Sequence, residues 1–413
     1  MNWQAVGIAA ALGSMASWAL GASAPPVWTP APETRFYGGA EYLLWWVKDA
    51  PLSVPLVSTG PIATTHHGLL ASPDTTILYG APHYPSSGGN DTQAFQAFSG
   101  ARLTLGYALD DKHRFAIEVS GFSLQQQSAG YEARGDSTGN PVLGIPVYNS
   151  VAYSIGTMTI SPGEDSLPFA LPDDALRSRA NGIITGGVKI TNKLQLWGTE
   201  AVGVISLYRK PSWELSGLVG LRYLDLYENF KITSDIEGVT GPYARQSGVV
   251  TDKFDTQNQF FGGLIGLRGR YSEGSLSVDL AARVSLGVTH QIEDIAGGFV
   301  ASNFPAGTTT GPEGIFAQPA NEGRTSATKF SVVPDLQIKI GYAITPRLRA
   351  TIGYDFLYYG GVLRPGDQIN RNTPKGQTFN QADPTISTTS PTRLFKTSDF
   401  FAHGLSFGME FRF

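Results

Sequence analysis

The sequence predicts an all-β fold, a single transmembrane antiparallel up-and-down β-barrel, on three observations. Apolar and polar residues alternate with period 2 in long runs along the chain. Short turns alternate with long polar connections. No apolar stretch beyond the first two dozen residues approaches the ~20 that a helical span needs, so a membrane protein built from this chain must be a closed barrel. Composition agrees with this. Charged residues are 15% of the 413, against roughly 25% in a typical soluble domain. The 49 glycines and 11% aromatics suit tight turns and aromatic girdles.

The elements follow in chain order. Residues 1–21 read as an export signal, because Ala5 to Ala16 is a small-residue apolar run too short to span a bilayer. Ala19-Leu20-Gly21 offers a cleavage site, and Ala22-Ser23-Ala24 offers one as late as residue 24, although Pro25 follows it. Residues 22–34 read as a Pro-rich linker. The barrel then occupies 35–413.

Ten strands are predicted at about 35–48, 97–109, 113–126, 188–208, 213–230, 253–271, 274–290, 328–343, 347–359 and 400–413. The clearest alternation runs from Leu276 to His290, where Leu276, Val278, Leu280, Ala282, Val284, Leu286 and Val288 share one face. Ser275, Ser277, Asp279, Ala281, Arg283, Ser285 and Gly287 share the other. Asp110-Asp111-Lys112, Arg209-Lys210-Pro211-Ser212, Ser272-Glu273-Gly274 and Thr345-Pro346-Arg347 supply tight turns. Long polar segments at 49–95, 128–185, 231–252, 291–327 and 360–398 supply five large external loops. A further hairpin inside 128–187 would raise the count to twelve. Either even number places both termini on the periplasmic side.

Parity assigns the charges to the lumen. Glu41, Glu118, Glu200, Asp279, Asp335, Asp355 and Glu410 face inward, as do Arg102, Arg114, Arg222, Arg268, Arg283, Lys339, Arg349 and Arg412. An Arg or Lys turned to lipid at mid-membrane would cost about 2–4 kcal/mol. Near-balanced signs are read first as ion pairs filling a narrow lumen, and second as a lining that sets selectivity.

Other chemistries find little support. A net charge of -4 with no basic cluster argues against nucleic acid, and the absence of Cys excludes thiol chemistry and disulfides. A rim protease site would draw on His290 with Glu293 and Asp294, and a lipase pair on His403. His66-His67 are neighbours that rarely converge on one metal. Gly217–Arg222 and Gly263–Arg268 are Gly-rich but lie in strands with no helix after them. No catalytic residue, cofactor or metal is therefore expected.

Two resemblances narrow the reading. The last strand carries Leu405, Phe407, Met409, Phe411 and Phe413 at alternate positions, which resembles the assembly signal of outer-membrane barrels. It implies the barrel-assembly machinery as a partner. Phe36-Tyr37-Gly38-Gly39-Ala40-Glu41-Tyr42-Leu43-Leu44-Trp45-Trp46, then Pro55-Leu56-Val57-Ser58-Thr59-Gly60-Pro61, resembles the opening of the seventh "putative β-barrel porin" family of planctomycete-type bacteria. Leu196-Trp197-Gly198-Thr199-Glu200 and Arg222-Tyr223-Leu224-Asp225-Leu226 are similar to its middle strands. The resemblance implies an outer-membrane barrel surrounded by lipid, with transport as its presumed role. The expected function is porin-like passive passage of small solutes through a narrow lumen. The alternative is a structural or surface-interaction barrel acting through its loops, with a barrel hydrolase as a remote third. Solute, pore size and oligomeric state stay open.

Overall fold

The computed structural model describes residues 35–61, 68–150, 152–155, 158–173, 182–304, 307–374 and 389–413. The predicted signal and linker at 1–34, and His66-His67, lie outside the described residues. Ten strands close into an antiparallel ring. They are β1 (Phe36–Val47), β2 (Phe98–Ala108), β3 (Phe115–Leu124), β4 (Ile184–Lys210), β5 (Trp213–Gly238), β6 (Ser247–Glu273), β7 (Leu276–Phe304), β8 (Gly323–Thr345), β9 (Leu348–Leu363) and β10 (Thr397–Arg412). Each pairs with its neighbours in sequence, and β1 closes on β10 from Tyr37 opposite Arg412 to Val47 opposite Ala402. Closure leaves this part of the wall without a free edge.

The predicted parity appears on both faces. Leu103, Leu105, Ile117, Val119, Val219, Ile265, Leu280, Ile340, Ile352 and Phe407 point outward and are exposed. On β5 this apolar face runs from Trp213 to Tyr223. At ~3.3 Å per residue and ~40° of tilt that is ~25 Å of height, which matches the apolar band of an outer-membrane barrel. Aromatic pairs mark both margins. Phe36–Tyr107 and Trp213–Tyr271 lie at the turn side, with centroids 4.7 and 4.8 Å apart. Trp197–Tyr223 and Trp46–His403 lie at the loop side, 5.3 and 6.2 Å apart. Such rings suit the membrane–water interface.

Several strands continue far past the band, and this corrects the predicted loops. Residues 231–238 and 247–252 are strand, as are 291–304 and 323–327. Their sequence hides this because the amphipathic sense inverts above the membrane. Outward positions turn polar, as at Lys231, Thr233 and Asp235 on β5. Inward positions turn apolar, with Val188, Ile190, Phe230, Ile232, Val250, Phe254, Ile295 and Phe299 all buried. Water outside and a packed core inside demand that order, as in any soluble sheet.

That inner face is covered by the loops. Pro55–Thr59, Thr76–Gly80, Leu143–Asn149 and Gly163–Ala170 form a second sheet. Its Leu56, Val57, Tyr79, Leu143, Ile145, Val147 and Phe169 form one apolar core with the strand extensions. The hairpin suspected within 128–187 exists as Leu143–Asn149 against Gly163–Ala170, but it joins this head sheet. The ring therefore stays at ten strands. Residues Gln127–Arg134 prolong the line of β3 along the upper part of β4.

Candidate functional site: the charged lumen and its seal

Register builds the lumen's ion pairs. Antiparallel neighbours place Glu41 opposite Arg102, Glu200 opposite Arg222, Arg283 opposite Asp335, Arg270 opposite Asp279 and Arg349 opposite Glu410. Further contacts then join strands that are not neighbours. Arg102 Nη1 donates to Glu41 at 2.8 Å and to Asp355, from β9, at 3.0 Å. Arg222 donates to Glu200 at 2.7 Å and to Asp335, from β8, at 2.5 Å. Arg283 donates to Glu200 at 2.7 Å and Asp335 at 2.6 Å, completing a four-membered cluster. Arg268 grips Glu118 of β3 through two bonds of 2.7 Å, and Tyr37 Oη adds a third to that carboxylate at 2.9 Å. Lys339 reaches Glu41, and Arg349 bridges Asp279 and Glu410. Gly341 makes this last bridge possible, since a Cβ there would run into the Arg349 guanidinium.

Of the fifteen charges assigned to the lumen from parity, Glu41, Arg102, Glu118, Glu200, Arg222, Arg268, Asp279, Arg283, Asp335, Lys339, Arg349, Asp355 and Glu410 meet in this layer. Arg412 lines the lumen at its turn-side end. Arg114 does not belong with them. It precedes β3 in the turn, its side chain is 62% exposed, and it pairs with Asp110 at 2.9 Å. Parity cannot be extended through a turn, where the chain leaves the pleat. Arg270 was missed for the mirror reason: it shares the parity of Arg268, but it sits at the end of its strand. It pairs with Asp279.

Directly above the charges the inward side chains turn apolar. Leu43, Trp45, Phe98, Leu124, Leu194, Leu196, Leu224, Leu226, Phe260, Val333, Leu357, Tyr359, Phe400 and Ala402 are buried in one connected apolar cluster. Nine of the ten strands contribute to it, and β7 completes the circle with Thr289, whose hydroxyl lies 3.1 Å from Tyr359 Oη. Trp45 packs on Phe122 at 5.4 Å, and the Arg102 guanidinium lies 5.6 Å above the Trp45 ring. Higher still, Arg364 and Glu228 form an ion pair with both side chains at 0% exposure, and Asn258 clasps the backbone of Leu363 at 2.7 and 2.9 Å. Arg364 was invisible to strand parity because it follows β9.

A cavity of about 210 Å³ runs from among these charges, with Glu41, Arg102 and Glu200 in its lining, to His113, Arg209 and Arg412 at the turn side. A smaller one of about 40 Å³ sits between Trp45, Arg222 and Asp335. The lining of neither includes a residue of the head sheet.

The residues offered for hydrolysis diverge. His290 faces outward and contacts Thr328 Oγ1 at 3.2 Å, whereas Glu293 is fully buried inside and accepts from Arg393 at 3.1 Å. His403 stays on the outer face, 3.0 Å from Tyr354 Oη. Among the described residues no group of three His, Asp or Glu is arranged to hold a metal. On the last strand Leu405, Phe407, Met409, Phe411 and Phe413 face outward, and Phe411 and Phe413 stack at 6.4 Å.

The chain resembles solved outer-membrane barrels. The outer membrane protease OmpT of Escherichia coli matches at 9% identity and TM-score 0.36, covering 93% of this chain and all of that one. The toluene transporter TodX of Pseudomonas putida matches at 8% and 0.18, covering 93% and 90%. The channel DcaP of Acinetobacter baumannii matches at 8% and 0.16, covering 92% and 97%. No curated protein matches. A family model matches residues 37–413, nearly the whole span read as barrel from the sequence, and the chain thus belongs to the family described as "putative beta barrel porin-7".

Proposed function

We propose that this outer-membrane barrel serves chiefly as a closed anchor for its outward head, acting as a structural or surface-interaction element. The observation that carries this reading is the apolar layer across the lumen. Its members belong almost entirely to the wall itself, so no single loop movement clears a path. The layer also gives a crossing ion nothing to replace its water, and a dry apolar constriction blocks conduction. Above it, the head core presents the outward surface of a soluble domain. Lipid against the apolar band, and the assembly machinery at the last strand, are the partners this reading carries.

Porin-like passage of small solutes is the second reading, favoured by the family and by the cavity among the charges. It is confined to brief openings of the apolar layer. The residues considered for catalysis point to different faces of the wall, so no enzymatic step is assigned. Planar-bilayer recording of the full chain tests the choice. The closed-anchor reading expects no steady conductance, only rare short events. A large, steady current in the unmodified protein would overturn it in favour of a porin.

A further inference from the structure

Two residues that line the smaller cavity, Trp45 and Asp355, each carry a polar group with no hydrogen-bond partner among the described residues. Register sets them at one height. Gly404 of β10 stands opposite Trp45 of β1 on one side and opposite Asp355 of β9 on the other. All three are inward positions, and Gly404 places no side chain between its neighbours. Arg102 Nη1 and Gln337 Nε2 both donate to one oxygen of Asp355, Oδ1, at 3.0 and 2.6 Å. Asp355 Oδ2 is left buried and unpaired, and so is the indole N–H at Trp45 Nε1. The two residues are 3% and 2% exposed, so bulk solvent does not serve either group. A buried donor and a buried acceptor, both unmet, are costly to a fold and call for a partner.

We propose that this cavity is a buried water site, in which ordered water accepts from Trp45 Nε1–H and donates to Asp355 Oδ2. The lining selects a neutral ligand that both donates and accepts. Arg102, Arg222 and Arg283 face Glu200, Asp335 and Asp355 there, three charges of each sign. The cations are already engaged, Arg222 and Arg283 by Glu200 and Asp335, and Arg102 by Glu41 and Asp355. A cation would suit Asp355 Oδ2 but leave the indole N–H unmet, and an anion would do the reverse. Either would also add an uncompensated charge in buried surroundings. Size agrees. A water takes roughly 10–15 Å³ of such space, so the cavity of about 40 Å³ holds about two or three.

The water also marks a boundary. Trp45, Leu224 and Leu357 line the cavity and belong to the apolar layer above it. The indole is thus wet at its nitrogen and dry over most of its ring, a division that suits a side chain with one polar atom. Phe122 flanks the ring at 5.4 Å, and the Arg102 guanidinium faces it at 5.6 Å. Water held on the nitrogen ties this ring to β9, so Trp45 is the side chain that must move before water enters the apolar layer. That gating role rests on the brief openings of the passage reading. The water site itself does not.

Crystallography of the full chain, at a resolution that shows ordered water, provides the test without any variant. Separate crystals are soaked in rubidium chloride and in sodium bromide as probes for a cation and an anion. Density within hydrogen-bond distance of both Trp45 Nε1 and Asp355 Oδ2 is expected, with no anomalous signal there from either salt. A cavity without density, or an anomalous peak in it, would overturn the site. Trp45→Phe keeps an aromatic ring and removes the N–H, so the density should weaken or move; unchanged density would show that the indole does not hold the water. In planar bilayers the same variant should raise the frequency of brief events about five-fold, as loss of one hydrogen bond implies. An unchanged frequency would overturn the gating role. A large, steady current in the unmodified protein would overturn the closed anchor and that role together, and would leave the water site to the density.

Discussion

A single strand can test the inversion that shapes the whole molecule. On β5, Val219 is outward within the membrane band and 52% exposed, Thr233 is outward above it, and Ile232 is inward above it and buried. Val219 stands six residues from Trp213, so ~15 Å up a band ~25 Å tall, close to its middle. Thr233 stands twenty residues up, ~50 Å, well clear of lipid. Val219→Arg should then cost about 2–4 kcal/mol, a loss of roughly thirty-fold or more in the folding equilibrium, or prevent assembly. Thr233→Arg should change stability by less than about 0.5 kcal/mol, as surface substitutions do. Ile232→Arg puts an unpaired cation among Phe230, Val250 and Phe254 and should cost several kcal/mol in the head. Urea unfolding in lipid vesicles, followed by tryptophan emission, gives the three values. Equal costs for Val219→Arg and Thr233→Arg would mean that the band is misplaced and that no inversion exists on this strand.

Other expectations follow from the same geometry. The chain has no cysteine, so single cysteines report topology. Tyr84→Cys, at a head residue 92% exposed, should react with an impermeant maleimide on intact cells, and Arg347→Cys in a short turn should react only after lysis. Reaction of both from outside would reverse the orientation. Removing Phe413, or Phe411→Asp, should leave unfolded chain in the periplasm, and normal membrane levels of both variants would count against the assembly signal. Glu228→Gln should destabilise by about 3–5 kcal/mol by stranding the buried Arg364 charge, whereas Glu228→Met with Arg364→Met should cost far less. A double variant as unstable as the single one would show that the pair matters for more than its charge.

How much of this was legible depends on what each residue faces. Within the band, lipid enforces one rule on every outward side chain, and the rule is readable. Leu280 and Asp279 announce their sides, and thirteen of the fifteen assigned charges do meet in one ionic layer, with Arg412 just below it. Above the band the rule reverses sign. Segments such as 231–238 therefore look like polar loop although Ile232 is as buried as any core residue. The seal was present in the sequence as Leu224, Leu226 and Phe260, yet nothing local says that inward apolar residues on nine strands meet at one height. That is a property of shear and closure, set by the whole ring.

The head carries its own pH signature, and it bears on whether the loops behave as part of the core. Asp252 is buried on the inward face of β6, above the band. Its Oδ1 accepts the backbone N–H groups of Phe316 and Ala317, each at 2.7 Å, while Oδ2 has no partner. Burial pushes its pKa up to about 6, and the backbone donors offset only part of that. A carboxyl raised in the folded state binds its proton more tightly there than in the unfolded chain. Its contribution is therefore greatest below the unfolded value and is lost as pH rises toward about 6. The difference of about two units is worth about 3 kcal/mol. The segment that holds Phe316 and Ala317 should open more readily at pH 8 than at pH 5. Amide hydrogen exchange there, corrected for its intrinsic pH dependence, measures the opening. Asp252→Asn keeps an acceptor for both N–H groups and removes the charge, so it should hold the segment closed at both pH values. Opening that is equally pH-dependent in the variant would show that Asp252 is not the group responsible.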